Sequence, residues 1–177
     1  MMRFKWLTLT KISFAIMALS IGAIWLISRD GSIVGVPADG SVSLMLEEEA
    51  EPHINQPYIV RVVANSPRDS INSVGIYLRF DPQKLRVVEM DTLKSFCQYY
   101  PEKKFDNNLG QVSLACGAPH PGAKGEMELM SLTFLPLTES SSQILVDAKS
   151  ALLRSDGKGT NLLREYPKLE VSPGVTF

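Results

Sequence analysis

From Ser41 onward, apolar and polar positions alternate with period two, broken every eight to twelve residues by turn formers. Ser41–Glu47 alternates through Val42, Leu44 and Leu46, and Tyr58–Asn65 sets Tyr58, Val60, Val62 and Ala64 on one face. In Ser73–Phe80, Val74, Ile76, Leu78 and Phe80 point inward while Gly75, Tyr77 and Arg79 point outward. Asp81-Pro82 stops that strand, because Pro lacks the ladder N–H and Asp can bond the backbone two residues on. Lys84–Met90, Gln111–Cys116, Leu129–Leu135, Gln143–Ala148, Ala151–Arg154 and Lys168–Val171 repeat the pattern. No segment past residue 40 keeps a helical period for three turns. The pattern predicts an all-β, antiparallel sandwich of about nine short strands over residues 41–177. A domain of that length buries roughly two-thirds of its unfolded surface and stands without a metal.

The first forty residues read differently. Ile12–Ser28 (ISFAIMALSIGAIWLIS) is seventeen residues without a charge, the short end of a membrane-spanning helix. Trp6 and Trp25 lie near its two ends, where indole rings favour the interface. Arg3, Lys5 and Lys11 precede the run, so the positive-inside rule keeps residues 1–11 in the cytoplasm. Residues 12–28 are then a single-pass anchor, residues 29–40 a linker, and the sandwich is extracytoplasmic. Gly31–Gly40 (GSIVGVPADG), with several glycines and no clear period, suits a tether. A cleaved signal peptide is the alternative. Ser28-Arg29-Asp30 offers it no small-residue cleavage site, and Val36-Pro37-Ala38 would have to serve.

Charge separates the same two parts. Residues 1–30 carry a net +3 and the remaining chain a net −4. A domain with that balance has no electrostatic footprint for nucleic acid. Two His and two Cys cannot build a four-ligand zinc framework with ordinary spacing.

Cys97 and Cys116 are nineteen residues apart, and in an exported domain such a pair commonly forms a disulfide. The closed loop would contribute roughly 3 kcal/mol. Two buried thiols are the alternative. Thiol catalysis would need a histidine beside the cysteine, and His120 sits in the rigid turn Pro119-His120-Pro121. Residues 117–124 (GAPHPGAK) do not make a phosphate loop, since Lys124 does not follow Gly122 and two prolines remove N–H donors. Lys158 in DGKGT lacks the upstream glycine spacing, and no G-x-S-x-G occurs to give His53 or His120 a nucleophile. No cofactor is expected. Calcium has two thin sequence supports: the acidic run Glu47, Glu48, Glu49 and Glu51, and Asp156 with Asn161. A contact surface is expected at Phe96, Tyr99 and Tyr100, where rings could stack on sugars or anchor a protein. Tyr77 and Arg79, outward on their strand, extend it.

Three segments in order carry a family resemblance. They are INSVGIYLRFDPQKLRVVEMD (Ile71–Asp91), FDNNLGQVSLACGAPHPGAKGEMELMSLTF (Phe105–Phe134) and SALLRSDGKGTNLL (Ser150–Leu163). Together they resemble the cohesin family and its bacterial surface relatives. The resemblance implies a nine-stranded, jelly-roll-like sandwich related to carbohydrate-binding modules. It further implies recognition of dockerin modules through one sheet face, the contact that assembles cellulose-degrading complexes. The family's contact residues form no motif that transfers position by position. The expected function is a non-catalytic recognition module outside the membrane, binding a dockerin-like protein module or a polysaccharide. The alternative is a structural component of an envelope or pilus-type assembly, associating through sheet edges or the anchor.

Overall fold

The computed structural model describes residues 41–174, so the expected anchor Ile12–Ser28 and the tether Gly31–Gly40 lie outside the described residues. Nine strands follow one another: β1 (Ser43–Glu48), β2 (Tyr58–Phe80), β3 (Leu85–Asp91), β4 (Tyr99–Asp106), β5 (Gln111–Gly117), β6 (Ala123–Pro136), β7 (Ser142–Val146), β8 (Ala151–Arg154) and β9 (Lys168–Val171). All pairings among them are antiparallel. They form one sheet that folds over itself into a nearly closed, barrel-like sandwich.

β2 makes the fold-over. Its first half lies between β1 and β6, and its second half lies between β5 on one side and β8 and β7 on the other. The sequence pattern predicts two strands here, Tyr58–Asn65 and Ser73–Phe80, because residues 66–70 (SPRDS) have turn composition. The chain instead runs through as one bent strand. Ser66 pairs with Gly125 and Ile71 with Ala123, with a register shift between them, and the Ser66 hydroxyl donates to Asp69 O at 2.6 Å.

The inward set from both halves meets in one core. Val60, Val62, Val74, Ile76 and Leu78 of β2 pack with Leu114, Leu132, Phe134, Ile144 and Leu152 from the neighbouring strands. Phe80 meets Phe134 edge to face with ring centroids 5.4 Å apart.

β4 has no counterpart among the predicted strands. It pairs only with β5, and most of its side chains are exposed, so it shows no apolar alternation. Pro101, Lys103 and Lys104 suit such an edge, since they discourage pairing with another chain. The opposite edge, β3, is shielded by one side chain. Asn107 donates from Nδ2 to Val87 O at 2.9 Å, and its Oδ1 accepts from Val87 N at 2.8 Å. Its amide thus takes the place of a neighbouring strand. The Cys97–Cys116 disulfide, with Cα atoms 5.8 Å apart, ties the β3–β4 connection to β5.

Two carboxylates organise the turns after β7 and β8. Asp147 accepts from Lys149 N at 3.0 Å and from Arg79 Nε at 2.7 Å; Asp156 accepts from Thr160 Oγ1 at 2.7 Å and Lys158 N at 2.9 Å. The Lys149 amide and then Arg79 hold Asp147 below the usual carboxylate range, and Thr160 with the Lys158 amide does the same for Asp156. Folded-state values below the unfolded ones mean stabilisation at neutral pH that is lost as pH falls through the folded values. The melting temperature is therefore expected to decline below about pH 4. In Asp147→Asn that decline should be shallower, checked by thermal melts from pH 7 to 2. Gly110 closes the β4–β5 turn at φ 63°, where an added Cβ would lie 2.1 Å from Phe80 O. Gly157 has a similar φ of 68° but open space around it. Urea melts should show Gly110→Ala destabilising by well over 2 kcal/mol and Gly157→Ala by only about 1 kcal/mol.

Candidate functional site

Residues directly opposite in an antiparallel ladder share a face. Because Val74, Ile76 and Leu78 point into the core, their neighbours on β2 define the outer face of the layer built by β4, β5, β8 and the second half of β2. Across it Gly75 stands between Ala115 and Ala151, and Ser73 between Gly117 and Leu153. Tyr77 pairs with Ser113, which pairs in turn with Lys104, and Arg79 pairs with Gln111. The centre is a floor of Gly, Ala and Ser, low enough for a partner's backbone to approach closely. A Cβ added at Gly75 would make only ordinary contact, at 3.6 Å from Tyr77.

Anchoring side chains stand around this floor. Tyr99 is 70% exposed beside a hollow of about 440 Å³ lined by Gln98, Gly117, Ala118 and Pro119. Arg79 is held by Asp147, with both Nε and Nη2 2.7 Å from Oδ2. Lys104 Nζ sits 2.9 Å from Glu102, whose carboxylate raises the lysine pKa. Ser150 fixes the Tyr77 backbone, its Oγ accepting from Tyr77 N at 3.0 Å.

Of the five residues expected at a contact surface, Tyr77, Arg79 and Tyr99 share this face. Phe96 and Tyr100 are half-buried against the core, and the Tyr100 hydroxyl donates to Cys97 O at 3.1 Å. They shape the loop that presents Tyr99. Cys97 and Cys116 are joined as a disulfide. The small-residue floor and Leu153 were not legible in the sequence, because only strand register brings them together. A weak signal existed: the outward positions of β5 read Ser113, Ala115, Gly117, with no long side chain among them.

Several of the remaining chemical candidates have structural partners. Arg61 lies 2.6 Å from Glu47, 3.5 Å from Glu49 and 3.6 Å from Glu128, so Glu47 and Glu49 of the acidic run are engaged by a cation of the chain itself. Asn161 Oδ1 accepts from Leu152 N and Leu163 N, at 3.1 and 3.0 Å. His120 Nδ1 lies 2.9 Å from Ser155 Oγ, which joins the loop after β5 to the end of β8. Among the described residues, no group of three or more His, Cys, Asp or Glu is placed to hold a metal ion.

No protein-family model matches this sequence, and no curated protein matches it. Solved structures do. The sixth cohesin of scaffoldin B from Acetivibrio cellulolyticus, in complex with a mutant Cel5 dockerin, has a TM-score of 0.64 at 12% identity, over 76% of this chain and 99% of that one. The cohesin module of a family 33 glycoside hydrolase from Clostridium perfringens gives 0.60 at 11%, over 77% and 98%. A non-cellulosomal cohesin from the archaeon Archaeoglobus fulgidus gives 0.55 at 14%, over 74% and 91%. The nine-stranded sandwich of this chain therefore has the fold of a cohesin module.

Proposed function

We propose that the outer face of β4, β5, β8 and the second half of β2 is a non-catalytic recognition surface for a protein module, dockerin-like in kind. The observation that carries this reading is the small-residue floor Gly75–Ala115–Ala151 with Tyr77, Tyr99 and Arg79 beside it. Tyr and Arg are the types that dominate binding energy when a partner desolvates them, and a low floor lets the partner come near enough to do so. Support also comes from the cohesin of the same fold that was solved with a dockerin bound.

The module works outside the membrane, held by one N-terminal span. The uncharged run Ile12–Ser28 behind Arg3, Lys5 and Lys11 supports that arrangement, and so does a disulfide that persists in oxidising compartments. Assembly by strand addition is disfavoured at two of the edges, because Asn107 occupies that of β3 and Pro101, Lys103 and Lys104 guard β4.

Immobilised residues 38–177 should bind a protein module saturably from a panel of purified dockerins and from the native envelope extract. Ala115→Arg, which fills the floor, should weaken binding by more than about 30-fold, with an unchanged melting temperature. Tyr99→Ala should cost about tenfold. Protein capture that Ala115→Arg leaves intact would remove the face from consideration, and capture of polysaccharide alone would replace the protein partner with a sugar.

A further inference from the structure

The hollow beside Tyr99 is built from two short stretches of chain, and each begins next to a half-cystine. One wall is Gln98 and Tyr99, which follow Cys97; the other is Gly117, Ala118 and Pro119, which follow Cys116. The disulfide joins the roots of the two walls from the inner side, where Cys116 stands opposite Val74 and both half-cystines are buried.

The two walls are not held alike. Gly117 and Ala118 are fastened to β2, by the pairing of Gly117 with Ser73 and by the Ala118 amide, which donates to Asn72 O at 2.9 Å. The Tyr99 wall stands at one end of a strand that pairs on a single side. β4 keeps regular register with β5 from Glu102 to Asp106, but between Tyr99 and Glu102 the register breaks, at Tyr100 and Pro101. Beyond the break the ladder comes down to the Tyr99–Gly117 pair and the Gln98 amide, which donates to Gly117 O at 2.8 Å. Polar contacts around Cys97 are internal to its own segment: its amide donates to Ser95 Oγ at 3.3 Å, and its carbonyl accepts from the Tyr100 hydroxyl at 3.1 Å. Such bonds move with the segment and do not fix it to β5. Phe96 and Tyr100 rest on the core, but apolar contact is non-directional and does not set the spacing of the walls. The covalent bridge does.

An anchor contributes most to binding when its pocket is formed before the partner arrives, because ordering it on contact costs affinity. We infer that the Cys97–Cys116 disulfide is a positioning element of the recognition face. It sets the spacing of the hollow's walls, so the oxidised chain presents Tyr99 in place and the reduced chain loses that contact. The inference rests on the protein-module reading above and adds redox state as a condition on it. The change takes two electrons. A dithiol attacks one half-cystine sulfur, forms a mixed disulfide, then closes on itself and leaves two protein thiols; a disulfide oxidant reverses the exchange.

The test is a double-mutant cycle on residues 38–177, which hold the whole buried core. Affinity for the dockerin captured by the oxidised chain is measured with and without Tyr99→Ala, in the wild type and in Cys97→Ala/Cys116→Ala. Loss of the disulfide should weaken binding about tenfold, and Tyr99→Ala should then add less than about twofold. Ala115→Arg should keep its full effect in both backgrounds. Amide hydrogen exchange supplies a readout that needs no partner. Without the disulfide the Gln98 amide should exchange at least about tenfold faster, while the Ala118 amide on the other wall changes less than about threefold. A tenfold cost of Tyr99→Ala that persists without the disulfide overturns the inference. Equal acceleration of the two amides does so as well, since it marks a loss of general stability. Should the double variant fold poorly, wild-type chain reduced with dithiothreitol takes its place, and unfolding of that chain too would make the bridge a stability element only. If no module binds even the oxidised chain, the protein-module reading falls, and the exchange comparison alone decides the positioning role.

Discussion

The hydrogen-bonded ladder on both sides of β2 is the constraint from which the rest of the molecule follows. A strand of 23 residues cannot stay flat while pairing with β1 and β6 at one end and β5, β7 and β8 at the other. It bends at Ser66–Ile71, where Gly125 and Ala123 of β6 accept the change of register. The bend turns one sheet into two layers and brings Val60 and Val62 into the same interior as Ile76 and Leu78. The outer floor is a by-product of the same geometry, since Gly75 and Tyr77 must face away once Val74 and Ile76 face in.

The protection of two of the sheet's edges is equally physical. β3 and β4, like β1 and β9, pair with a single strand, and the first two edges are treated differently. β3 receives a surrogate partner, the Asn107 amide, which meets both the N–H and the C=O of Val87. β4 is protected by composition, with a proline that cannot donate and lysines that disfavour a second chain.

How much of this was legible in the sequence depends on how strongly each residue is tied to the core. Val74, Ile76, Leu78 and Phe80 announce their strand because each is buried and each neighbour is not. β4 is silent for the opposite reason: an edge strand that covers little interior imposes no alternation, so YYPEKKFD reads as a loop. The break predicted at residues 66–70 reflects turn chemistry overruled by pairing with β6. Tyr99 and Tyr100 are adjacent and chemically alike, yet one is exposed and the other supports Cys97. Strand pleat decides between them, and a strand hidden from the sequence hides its pleat as well. The floor of Gly75, Ala115 and Ala151 is a property of register across three strands, which no single stretch of chain displays.

The disulfide has a mechanical meaning as well as a thermodynamic one. It closes a loop of nineteen residues that holds all of β4 and its turn into β5. When the two ends of a chain are pulled apart, a covalent bridge carries the tension past the segment it encloses. Pulled from its ends, the oxidised chain cannot release those residues, roughly 65 Å of extended length. Tyr99, two positions from Cys97, lies within that shielded segment.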